Sequence, residues 1–518
     1  MSAELVLING DIITMDTMCP SAQAVAIRNG KIASVGTNNQ VLSRSSKQAK
    51  TLDLKGKTVV PGLIDSHTHM ISLGHALPRL DLRYVSSISE IQNRLKAEVK
   101  RTPKGRWVVG RGWDQDRLRE KRYPTRWDLD EVSPDNPVLL NRVCGHVSVA
   151  NSQALHLAKI NVKIPLSMAK FIDRDKKTGE PTGLVKEKAV DLFSGMIEPC
   201  EKELVNACHR ACSDAAEAGL TSVTCITSEL RQVHVLEMLR KKSQLPLRVC
   251  VIVPVECLDE LKGKQLNDPF LKLGCVKIFA DGSLGARTAA LCEPYADESS
   301  TVGILYYRIS QLRDLIQKAD EAGFQIAVHA IGDKAVEQTV KAFQSVLGRE
   351  RIAGYRHRIE HASVLNPDLI EKIKSAGLLV CVQPHFVVSD FWVPKRLGRE
   401  RARWTYASKS LLRNGVRLAA SSDAPVESLN PLLGIWAAVT SKLCPDERLS
   451  VEEALRAYTV DAAYFSFEED VKGSIEVGKY ADLTVLSHDP LKVKPEKIKD
   501  IRVEMTIVDG KVIYSSEH

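Results

Sequence analysis

The stretch Val59-Val60-Pro61-Gly62-Leu63-Ile64-Asp65-Ser66-His67-Thr68-His69-Met70 decides how the whole chain is read. Its apolar, β-branched run reads as a buried strand that ends in two histidines one residue apart. Side chains alternate faces along a strand, so His67 and His69 point the same way. Neutral imidazole is a favoured ligand for divalent transition metals, and a metal needs several such groups converging from different segments. The partners have to come from elsewhere in the chain.

Downstream, seven more apolar runs read as strands: 220–226, 247–253, 275–280, 325–330, 356–361, 378–383 and 416–421. Most are near-continuous in Val, Ile and Leu, as strands buried on both faces are. Helical patterns over 202–218, 230–242, 310–322, 334–347 and 367–376 separate many of them. Eight strands with helical crossovers predict an α/β fold, a (β/α)8 TIM barrel over 59–469, with its active site at the C-terminal strand ends. Residues 72–200, between the first two strands, are too many for a barrel loop. They are expected to form an inserted lobe over the barrel mouth. Residues 1–58 read as all-β, with Asn29-Gly30 as hairpin chemistry, and the same style returns after Gly473 with a hairpin at Asp509-Gly510. Each piece is too small to bury its own apolar face, so 1–58 and 470–518 are expected to build one small β-sandwich domain.

The composition, 44% hydrophobic and 26% charged over 518 residues, is that of an ordinary globular protein. A net charge of +8 would suggest nucleic acid if the basic residues were clustered, but they are interleaved with acids. The compact run from Lys492 to Lys499 reads as a solvated face. Twelve cysteines form no CxxC pair, and Cys208 and Cys212, four apart in a helical pattern, read as reduced core thiols. The first residues lack the basic start and apolar block of a signal peptide, and no run approaches the ~20 apolar residues of a membrane span. A cytoplasmic protein acting on a small molecule is expected, without nucleic-acid or membrane partners and with a homodimer left open.

At the C-terminal ends of the strands stand His67 and His69 of the first, His329 ending the fifth, His361 ending the sixth and Asp423 following the eighth. Lys277 lies inside the fourth, in Cys275-Val276-Lys277-Ile278-Phe279-Ala280-Asp281. A single strand histidine is usually a core residue, and it is the joint placement that points to a metal centre. An ammonium inside a barrel strand is costly to desolvate. One reading pairs it with a carboxylate such as Asp281; the other has a neutral amine that has reacted with carbon dioxide to give a carbamate.

This set resembles the amidohydrolase superfamily. Gly110-Arg111-Gly112-Trp113-Asp114, Lys277-Ile278-Phe279-Ala280-Asp281-Gly282-Ser283-Leu284-Gly285 and Ser422-Asp423-Ala424-Pro425-Val426 resemble one branch, amidohydrolase family 3, metal-dependent hydrolases that include N-substituted formamide deformylase. The resemblance implies that His67, His69 and Asp423 hold one divalent metal and His329 and His361 a second, bridged by carboxylated Lys277. One or two ions are implied, zinc first, with iron and manganese also suited to N and O ligands. It further implies a metal-activated hydroxide as nucleophile, Asp423 as the proton carrier and hydrolysis of a non-peptide C–N bond, an amide or formamide.

His385, after the seventh strand, is at the right end of the barrel to touch substrate. Trp113 and His146 in the insertion and Arg287 after the fourth strand are further candidates for substrate binding. The Gly-rich segment at 282–285 is expected to let the backbone turn close to the metal site. His357, four residues before His361, reads as a core or bottom residue. A deaminase of the same superfamily is a second reading, although such enzymes carry Glu three residues after the fifth-strand histidine, where this chain has Gly332, with Asp333 one place further. A catalytically silent scaffold is the third, and there all six ligand positions being filled argues against it.

Overall fold

The run that opens the barrel is two strands belonging to different sheets. Thr58–Pro61 pairs with Leu483–Leu486 antiparallel and with Asp11–Ile13 parallel, whereas Leu63–Thr68 pairs with Leu220–Ile226. Gly62 is the pivot. A Cβ there would lie 2.2 Å from Thr221 Oγ1, so the absence of a side chain is what lets the chain cross against that strand.

A computed structural model describes residues 5–46, 48–76, 80–160, 164, 166–197, 201–261 and 266–516. The expected outer limits of the terminal segments and of the insertion, residues 1, 200 and 518, lie outside the described residues. Two compact units result, one of Met1–Ile71, Cys208–Asp281 and Ala289–His518, the other of Ser72–Ala207 and Gly282–Thr288.

In the first unit eight parallel strands follow one another in chain order: β1 Leu63–Thr68, β2 Leu220–Ile226, β3 Arg248–Pro254, β4 Leu271–Phe279, β5 Gln325–Ala330, β6 Arg358–His361, β7 Leu379–Val382 and β8 Leu418–Ala420. Beyond β8 the chain is tied back to the end of β1, with the Asp423 N–H donating to His67 O (2.8 Å) and the His69 N–H to Ala424 O (2.7 Å). The sheet is thus nearly closed, as in a TIM barrel, and the two backbone bonds sit where the predicted ligands meet. Helices cross between strands with one face buried. In Asp333–Val346, for example, Val336, Val340 and Phe343 face the core at i, i+4 and i+7.

Strands from both ends of the chain share one sheet, ordered Lys511–Ser515, Val503–Val508, Leu483–Leu486, Thr58–Pro61, Asp11–Ile13, Ser21–Ala22. A second sheet holds Lys31–Gly36, Ala24–Arg28, Leu5–Ile8 and Lys50–Asp53. Leu7, Val25 and Ile32 from one, and Val59, Leu483 and Ile507 from the other, pack in a single buried cluster. The all-β expectation for 1–58 fails at Asn38–Ser43, which is helical behind a Thr37–Gln40 capping box. The Thr-x-x-Gln spacing was the available signal.

The second unit has its own six-stranded sheet, from Ile172–Arg174 to Leu80–Asp81, and its own apolar core around Leu95, Trp113, Leu140 and Val149. Gly282–Thr288 belongs to it. There the glycines make room for side chains: a Cβ at Gly285 would meet Arg142 Nη1 at 2.6 Å, and one at Gly282 would meet Thr288 Oγ1 at 2.3 Å. These neighbours account for the glycine requirement.

His357 is a core residue. It is fully buried between the Phe343 and Tyr355 rings, both near parallel to it, and its Nδ1 accepts the Ile326 N–H (3.1 Å). Burial pushes its pKa from 6.5 down to about 4. Between those values the unfolded chain binds more protons than the folded one, so stability falls as pH drops through that window. We expect about 2 kcal/mol to be lost between pH 7 and 5 from this group. Chemical denaturation of wild type and His357→Gln at both pH values checks this, and an equal pH dependence in the two would refute it.

Candidate functional site

His67 is the centre of the site because both of its nitrogens are committed. Nδ1 is hydrogen-bonded to the fully buried Glu360 carboxylate, which fixes the proton on Nδ1 and leaves the Nε2 lone pair facing Asp423 Oδ1 at 3.3 Å. His69 Nε2 is 3.3 Å from the same oxygen, and its side chain is partly accessible, at 31%. Asp423 Oδ1 is itself buried and makes no hydrogen bond. Two nitrogens converging on a buried, unsatisfied carboxylate oxygen form a donor set suited to a cation.

His361 reaches the same point by an unusual route. Glu360 and His361 are consecutive and would face opposite sides of an ideal strand, yet both touch this site. His361 has φ +76°, and the turn it makes at the end of β6 redirects the side chain. Its Nδ1 is bonded to Gln383 Oε1 (2.6 Å), and Gln383 Nε2 donates on to Ser421 Oγ (2.9 Å). Asp423 also has positive φ, +56°. Ligand atoms of His67, His361 and Asp423 all lie within 4.8 Å of one another, and the His329 ring is 4.5 Å from that of His361. The compact trio therefore takes members from both of the metal sets implied by resemblance.

Lys277 is fully buried, with its Nζ 5.1 Å from the Phe279 ring centre and no hydrogen-bond partner. Asp281 does not pair with it. That carboxylate accepts the backbone N–H groups of Ala290 (2.8 Å), Ile331 (3.0 Å) and Gly332 (2.9 Å), and lies 3.6 Å from His329 Nε2. Burial pulls the Lys277 pKa below its ordinary value, favouring the neutral amine.

Two acids escaped the sequence reading. Glu360 backs His67, and Asp65 ties β1 to the turn after β8 by accepting from Ser422 Oγ (2.5 Å) and from the His67 N–H (3.1 Å). The signal for the first was the alternation of two charged residues, Arg358 and Glu360, along a buried strand.

The amidohydrolase family 3 pattern, described as Amidohydrolase family, matches residues 50–514. The chain belongs to this amidohydrolase family. YtcJ of Bacillus subtilis (strain 168) is 35% identical over 523 residues, covering 98% of each chain. N-substituted formamide deformylase of Arthrobacter pascens is 29% identical over 539 residues, 99% of this chain and 98% of its own. The crystal structure of an uncharacterized metal-dependent hydrolase from Pyrococcus furiosus superposes with a TM-score of 0.77 at 35% identity, covering 95% of this chain and 100% of that one.

Of the four substrate-binding candidates in this amidohydrolase, only His385 shares a unit with the ligand set. Its Nδ1 is bonded to Glu427 Oε2 (2.6 Å). Trp113, His146 and Arg287 belong to the other unit. Trp113 is fully buried in that unit's core, its Nε1–H donating to Leu140 O (2.8 Å), so packing accounts for it. His146 is paired with Glu187 (2.8 Å), and Arg287 sits at φ +56° in the turn after Leu284. Asp333 accepts the Cys292 and Lys334 N–H groups, both at 2.9 Å. The acid that stands nearest the deaminase position is thereby committed to the backbone. Among the described residues no helix is long and apolar enough to cross a membrane.

Proposed function

We propose that this amidohydrolase is a metal-dependent hydrolase of a non-peptide C–N bond in an N-substituted amide or formamide. The observation that carries the reading is the buried, unsatisfied Asp423 Oδ1 at 3.3 Å from two imidazole Nε2 atoms. His67, His69, Asp423, His329 and His361 would hold one or two divalent ions, zinc being the first expectation, with Lys277 as a further ligand after carboxylation. A divalent cation held there would supply hydroxide at neutral pH and would polarise the substrate carbonyl. The chain's own part is proton handling: Asp423 takes the proton of the attacking water and returns it to the leaving nitrogen as the C–O bond forms and the C–N bond breaks. At Lys277 the neutral amine adds to carbon dioxide, an N–C bond forms, one proton leaves, and a buried amine becomes an anionic oxygen donor.

The choice of substrate class is supported by the formamide deformylase likeness, spanning 99% of this chain. The test is metal content per chain followed by hydrolysis of a panel of N-formyl and N-acyl amines. Stoichiometric metal with release of amine and carboxylate is expected. Ammonia release from aminated heterocycles would replace the amide reading with deamination, and a purified protein that takes up no metal would sink both.

A further inference from the structure

The donor set at the site is not backed evenly. His361 rests on a neutral amide, Gln383, but His67 rests on a carboxylate, Glu360, which is itself held by Arg358, with Nε 2.6 Å from Glu360 Oε1. Arg358 Nη2 also donates to Ser66 O (3.2 Å), the carbonyl just before His67. All three side chains are almost wholly shielded from solvent. We propose that Arg358 and Glu360 are a positioning pair that acts through His67, holding its ring and backbone so that Nε2 stays a strong, fixed donor to a divalent metal. This rests on the metal reading above and adds to it a residue pair, Arg358 and Glu360, that does not touch the ion.

The argument is one of cost and placement. Burying a guanidinium and a carboxylate costs several kcal/mol per ion before their mutual attraction is counted, and apolar side chains of like volume often serve stability equally well. A pair kept for stability alone would have no reason to end on one particular imidazole nitrogen. Carboxylates behind metal-bound histidines fix the tautomer and strengthen the donor, and removing them typically weakens metal binding 10–100-fold. Glu360 stands in that position with respect to His67. The register explains how it gets there: Arg358 and Glu360 are two apart on β6, so both leave the strand on the same face.

Metal-free protein loaded with Co2+ or Zn2+, and then challenged with a chromophoric chelator, gives a readout independent of turnover. Glu360→Gln keeps an oxygen acceptor but loses the charge, and is expected to release metal about 10-fold faster than wild type. Glu360→Met loses both and should release it faster still. Because Glu360→Met leaves Arg358 buried alone, the double variant Arg358→Met/Glu360→Met, which removes both charges, guards against misfolding and is expected to lose metal in the same way. Imidazole 15N NMR of the metal-free protein should report Nδ1–H at His67 in wild type and a mixed tautomer in the double variant. A double variant that folds, binds metal with wild-type affinity and keeps the His67 tautomer would overturn the proposal. Wild type that binds no metal would overturn the reading beneath it, a separate outcome.

Discussion

Replacing Asp423 by Asn is expected to lower kcat/KM about 10^3-fold or more while leaving the fold intact. Asn is nearly the same size and, like Asp, tolerates the left-handed φ of +56° found there. The backbone bond from residue 423 to His67 O does not involve the side chain. What is lost is chemical. An amide cannot accept the proton of an attacking water and deliver it to a leaving nitrogen, a role that typically contributes 10^2 to 10^4 in rate. It also removes the negative charge that faces His67 and His69 at 3.3 Å. Steady-state kinetics on the best substrate of the amine panel, with the thermal midpoint and metal content measured in parallel, separates these. A variant with wild-type metal and no turnover assigns Asp423 to proton transfer. Activity within tenfold of wild type would remove it from the mechanism.

What the sequence made legible follows from which physical constraints act locally. Strands buried on both faces announce themselves as apolar runs, and β2 and β5 occupy the expected ranges, Leu220–Ile226 and Gln325–Ala330. Residues at the C-terminal ends of such strands land at one end of the barrel whatever the loops do, so the sequence alone groups His67, His69, His329, His361 and Asp423. Glu360 could not be added to them by the same rule. Alternation places it opposite His361, and only the left-handed turn at His361 brings both to one site. The break at Gly62 was hidden because two consecutive buried strands look like one, and the crowding that requires glycine comes from Thr221, more than a hundred residues away. Trp113 read as a pocket residue because an aromatic in a conspicuous Gly-Arg-Gly-Trp-Asp stretch invites that reading, whereas the structure gives its ring a core and its N–H a partner. The lesson is that strand ends predict which groups meet, and side-chain partners decide what each is for.

Replacing Lys277 by Met is expected to abolish tight metal binding without destabilising the barrel. The two side chains have similar length, and the amine being removed is fully buried with no hydrogen-bond partner. A buried, unsatisfied polar group is a burden of about 1–3 kcal/mol, so the variant should unfold at the same denaturant concentration as wild type or a higher one. A lysine retained at such a cost has to be doing something other than packing. If carbon dioxide adds to its neutral amine, the product is an anion in place of a potential cation, one more negative group beside the imidazoles that Asp423 already faces. Metal release to a chelator should then be at least tenfold faster in Lys277→Met, with turnover falling in proportion to the metal lost. In Lys277→Ala the shortened side chain leaves space that bicarbonate or formate can enter, so either anion should restore part of the binding to Lys277→Ala and none to Lys277→Met. Native mass spectrometry of wild type should show the carbamate, and lose it on acidification. Full metal retention and activity in Lys277→Met would reduce Lys277 to a packing residue and leave the three histidine-bearing strand ends β1, β5 and β6, with Asp423, as the whole of the site.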